Sequence, residues 1–75
     1  MITREQCKMA RAALGWSVRE LGARADVTPN TVSNYEVGKN VNLSTVEKLK
    51  EALEKGGVMF LYPDALGGPG VRLRV

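Results

Sequence analysis

The sequence predicts a mainly α fold, four short helices followed by a two-stranded β-hairpin. Three observations carry that expectation. Ser or Thr capping signals head several apolar stripes spaced by three and four residues, glycines close those stripes, and from Val58 onward the pattern turns alternating and rich in Gly and Pro. A chain of 75 residues supports one modest core rather than a binding domain joined to a separate sensor domain. The expected organisation is a helical unit over residues 1–57 and a C-terminal hairpin over 58–75.

The first helix opens at Thr3, where Gln6 three residues on completes a capping box, and stops at Gly15. Ser17 with Glu20 opens the second in the same way. Thr28 opens the third, with Pro29 at the tolerated first position, and Gly38 closes it. Ser44 with Glu47 is the expected start of the fourth, which ends at Gly56 and Gly57. Ile2 with Cys7, Trp16 with Leu21 and Val27 with Val32 are spaced as hydrophobic staples that set how the chain enters each helix. The buried stripes read Cys7, Ala10, Leu14, then Val18, Leu21, Ala25, then Val46, Leu49, Leu53. Val58 to Tyr62 and Val71 to Val75 are the expected strands, joined through Pro63 to Gly70.

Composition narrows the function classes. Lysine and arginine exceed the acids 11 to 8, a mild excess that suits an anionic partner without demanding one. With no histidine and the single Cys7, the chain lacks the commonest general base and cannot assemble a zinc cluster or an internal disulfide. Neither an enzyme nor a cofactor is expected. The apolar runs are far shorter than a membrane span and the N-terminus does not read as a signal peptide, so no membrane partner and a cytoplasmic location are the expectation.

The most informative stretch is Val18 to Val37, where two short helices are joined only by Ala25, Asp26, Val27 and Thr28. A corner this tight needs small residues where the helices meet, here Gly22 and Ala25, a turn residue tolerant of positive φ, here Asp26, and apolar plugs beneath, here Leu21, Val27, Val32 and Tyr35. Through "RAALGWSVRELGARADVTPNTVSNYEVGK" the chain resembles the Cro/cI-like (XRE) family of helix-turn-helix regulators over roughly residues 3–55. The matches are Arg11 to Gly15, the spacing of Leu21, Ala25 and Val27, Val32, and the pair Glu36 and Gly38. The departures are Val18 where the family usually has Gln, Gly22 where it has Ala and Asp26 where it has Gly. The first removes a common phosphate contact, and the last puts an acid in the turn.

On the third helix the inward Val32 and Tyr35 leave Pro29, Asn30, Ser33 and Asn34 on the opposite side. Asn pairs with adenine N6 and N7, Ser donates or accepts, and a proline ring meets a thymine methyl. The resemblance implies that these positions read bases, Asn30 and Asn34 foremost; the alternative is a merely solvated helix face. Phosphate contacts are expected from Ser17 and Arg19 at the start of the second helix, Thr28 at the start of the third, and Lys39, Asn40, Asn42 and Ser44 before the fourth. The resemblance also implies that Arg11 and Glu36 form a structural ion pair between the first and third helices, with phosphate contact by Arg11 as the alternative. Trp16 is expected in the core by its staple position rather than as a base-stacking platform.

One recognition helix covers few base pairs, so a homodimer on a double-stranded operator is expected. The hairpin is its candidate interface, with Val71, Leu73 and Val75 on one face and Arg72 and Arg74 on the other; the alternative is a hairpin that caps its own helices. The function expected is sequence-specific transcriptional regulation. A second class is a protein-interaction module, such as an antitoxin that neutralises a regulatory protein partner and controls only its own operon.

Overall fold

The computed structural model describes residues 1–74. Four helices, α1 (Arg4–Leu14), α2 (Val18–Ala25), α3 (Pro29–Glu36) and α4 (Leu43–Lys55), precede two antiparallel strands, β1 (Val58–Leu61) and β2 (Gly70–Leu73). Helices this short are marginal alone, so their stability comes from shared packing. One core unites them: Ile2, Cys7, Ala10, Leu21, Ala25, Val32, Val46, Leu49, Ala52 and Leu53 are buried together with Val58 and Phe60 from β1. No helix among the described residues is long and apolar enough to cross a membrane.

Local chemistry explains most helix ends. Thr3 Oγ1 accepts from the Gln6 amide at 3.1 Å and Gln6 Oε1 accepts from the Thr3 amide at 2.9 Å, a complete capping box. Gly15, at φ 70°, supplies the left-handed exit. Ser17 caps the Glu20 amide at 3.0 Å, but Glu20 does not return the bond; its carboxylate takes Arg24 Nε at 2.6 Å instead. The expected start of the fourth helix is corrected. Asn42, not Ser44, is the N-cap, because its carbonyl already accepts from the Thr45 and Val46 amides, which places Ser44 inside the first turn. At the other end Gly57 takes the positive φ, 114°, while Gly56 stays helical.

The strands are shorter than their β-prone sequence. Tyr62 lies beyond β1, and β2 begins at Gly70 and ends at Leu73, so the expected strand stops short of Arg74, while Val75 falls outside the described residues. The register pairs Val58 with Leu73, Met59 with Arg72, Phe60 with Val71 and Leu61 with Gly70. Val58, Phe60, Val71 and Leu73 therefore share one face, and the first two are core residues. The hairpin packs on α1 and α4, whereas α3 packs on α2 and α1. Buried Gln6 ties it down, its Nε2 donating to Leu61 O at 2.8 Å and Gly70 O at 3.0 Å.

Candidate nucleic-acid interface

The corner between α2 and α3 is built as tightly as its sequence demands. Asp26 sits at φ 60°, the left-handed region that Asp tolerates better than most residues. A Cβ on Gly22 would stand 2.7 Å from Val27 O, so at this position the chain has no room for the alanine usual in the resembled family. Thr28 then caps α3 through the Thr31 amide at 3.2 Å, and its hydroxyl shares a 2.8 Å hydrogen bond with that of Thr31.

This corner presents α3 with its apolar side down. Val32 and Glu36 are buried and Tyr35 is half-buried, its hydroxyl donating to Ile2 O at 2.6 Å. Pro29, Asn30 and Ser33 are exposed and Asn34 is half-exposed. Among the described residues the side chains of Asn30, Ser33 and Asn34 hydrogen-bond to no other group of the chain, so their donors and acceptors face outward uncommitted. Val37, 63% exposed, continues the same stripe three residues beyond Asn34. Sequence reasoning left it out because an apolar residue at a helix end reads as a staple or core position.

Charge around α3 is arranged by one buried pair. Glu36 is 4% exposed and would be a bare anion under the helix. Arg11 answers it with two bonds, Nε to Oε2 at 2.9 Å and Nη2 to Oε1 at 2.8 Å, and spends Nη1 on Trp16 O at 3.1 Å. With its guanidinium committed on three sides, Arg11 holds α1 to α3 rather than facing a ligand. The Cys7 thiol donates to the same carboxylate at 3.5 Å, and burial followed by the Glu36 charge pushes its pKa up to about 12. It is a neutral packing group, not a nucleophile.

The expected phosphate-contacting residues are all exposed: Ser17, Arg19, Thr28, Lys39, Asn40, Asn42 and Ser44. They are not equally available. Among the described residues Arg19 and Lys39 form no ion pair, whereas Thr28 and Ser17 spend their acceptors on helix caps. Asp26 is the one acid between Leu21 and Tyr35, and it lines a shallow hollow beside Thr28, where it would oppose a phosphate. Trp16 is not a platform for bases. Its ring lies against Gly56, where a Cβ would stand 2.5 Å from Cη2, and the Arg24 guanidinium covers it 4.3 Å from the centroid.

Comparison with known proteins agrees with this geometry. A family model described as helix-turn-helix matches residues 8–57, two-thirds of the chain and the whole of α2, the corner, α3 and α4. No curated protein matches the chain.

Proposed function

The chain belongs to the Cro/cI-like (XRE) helix-turn-helix family of DNA-binding proteins, and from that premise we propose that it is a transcriptional regulator that reads a specific operator through Asn30, Ser33 and Asn34. One observation carries the reading: those side chains stand on one face of a buttressed helix with their hydrogen-bonding groups uncommitted. α3 enters the major groove, the two asparagines select adenines, and Pro29 packs on a thymine methyl. Arg19 and Lys39, with Asn40, Asn42 and Ser44, hold the phosphate backbone on either side and fix the register. The protein works by binding alone, without catalysis or cofactor. It acts as a homodimer that places two copies of α3 one DNA turn apart.

The test is a titration on DNA upstream of the protein's own gene against random DNA, at two salt concentrations, with wild type, Asn30→Ala and Asn34→Ala. Each substitution is expected to cost about 1–3 kcal/mol of discrimination while leaving binding to random DNA unchanged. Footprinting on the same fragment is expected to show two protected half-sites. Equal, salt-sensitive binding to every sequence would refute operator reading.

That outcome would favour a second reading, a module that binds a protein partner through its hairpin. It rests on Leu66, 95% exposed at the tip of a turn closed by bonds between Asp64 and Gly67 and fixed by Asp64 Oδ1 on the Leu66 amide.

A further inference from the structure

Arg4 has no part in the reading above, yet it stands at the far end of the recognition helix. It is the first residue of α1, and its guanidinium lies across Gly38, just past the end of α3. A Cβ on Gly38 would collide with Arg4 Nη1 and stand 3.3 Å from Cζ. Gly38 is favoured for its φ of 95°, and its missing side chain leaves the space that the guanidinium occupies.

Arg4, Val37, Gly38, Lys39 and Asn40 line one open groove of about 650 Å³. Val37 is also the last member of the outward stripe of α3, so the groove opens where the reading face ends. Its charged side chains are Arg4, Lys39 and Glu5. Glu5 holds Arg4 Nε at 3.2 Å, and among the described residues the two terminal nitrogens of Arg4 have no hydrogen-bond partner. The side chain is nearly half exposed. Two cations against one acid, with both terminal nitrogens of a half-exposed guanidinium free of hydrogen-bond partners among the described residues, suit a phosphodiester.

We propose that Arg4 is a phosphate-binding residue of the DNA interface, which together with Lys39 grips the backbone beyond the C-terminal end of α3. The contact sets how far α3 can slide along the groove, and so acts on register rather than on base choice. It rests on the DNA-binding reading. The competing role is purely internal: a cation at the end of α3 also favours the helix dipole.

The salt dependence of binding separates the two. Wild type, Arg4→Gln and Glu5→Gln are titrated on one fragment over a series of salt concentrations, at a temperature where thermal melts show all three folded. Arg4→Gln is expected to reduce the slope of log K against log salt by about 0.9, the value of one phosphate contact, and to weaken binding equally on all sequences. Glu5→Gln, which removes the competing carboxylate, is expected to tighten binding. An unchanged slope in Arg4→Gln, with or without a lower Tm, would assign Arg4 to the helix end and overturn the proposal. Absence of DNA binding by the wild type would overturn the underlying reading as well.

Discussion

At the residue scale the energetics concentrate on Arg11 and Glu36. Replacing Arg11 by Ala leaves a carboxylate that is 4% exposed without its counter-charge, and strands Trp16 O. The expected cost is about 3–5 kcal/mol. A domain of this size has roughly 4–11 kcal/mol to lose, so the variant should melt far below the wild type and lose DNA binding by unfolding. The double substitution Arg11→Met with Glu36→Leu removes both charges and should recover much of that stability, because no ion is left buried. Urea denaturation of the single and double variants checks both statements. Binding retained by a stable double variant would show that Arg11 is no phosphate contact.

At the element scale one polar side chain ties the hairpin to α1. Gln6 was legible as half of a capping box, and it is that, but its amide nitrogen also satisfies Leu61 O and Gly70 O, residues 55 and 64 positions away. Gln6→Leu preserves bulk, leaves both carbonyls without that donor and takes the Oε1 acceptor from the Thr3 amide. The expected loss is about 2 kcal/mol, from acceptors left unpaired at a largely buried site. Hydrogen exchange should accelerate in β1 and β2 more than in α2 and α3, since the tie that breaks is between α1 and the hairpin. Uniform acceleration along the chain would mean that Gln6 supports the core rather than the hairpin. The misplaced start of α4 belongs to this scale too. Ser44 with Glu47 has the spacing of a capping box, but spacing does not say which carbonyl opens the helix, and Asn42 does so two residues earlier. Starting at either residue buries the same stripe of Val46, Leu49 and Leu53, so the apolar pattern could not arbitrate.

At the scale of the whole molecule the hairpin and the helices share one core. Val58 is 1% exposed and Phe60 7%, and burying two such side chains contributes about 1.5–3 kcal/mol each. Ending the chain at Gly57 removes both and uncovers part of α1 and α4. The truncated chain is expected to lose most of its cooperative thermal transition, and its DNA binding with it, whatever its oligomeric state. A truncated chain that kept the wild-type Tm would contradict this shared core. Such a truncation therefore cannot assign dimerisation to the hairpin, and the footprint of the full chain is the sounder measure. Arg72 and Arg74 remain exposed on a hairpin that packs on α1 and α4, and α3 packs on a different pair of helices.

The sequence by itself determined the formation of four helices, though not where α4 begins, their left-handed exits at Gly15, Asp26 and Gly38, and the corner that turns α3 outward, because caps, turns and stripes act between residues at most a few positions apart. That Asn30, Ser33 and Asn34 share the face opposite Val32 and Tyr35 followed from the same periodicity. Tertiary structure alone decided what distant residues do to one another: Gln6 holding the hairpin, Trp16 set between Gly56 and Arg24, and Arg4 seated on Gly38. None of these leaves a local signal, since each depends on elements brought together only when the single core closes.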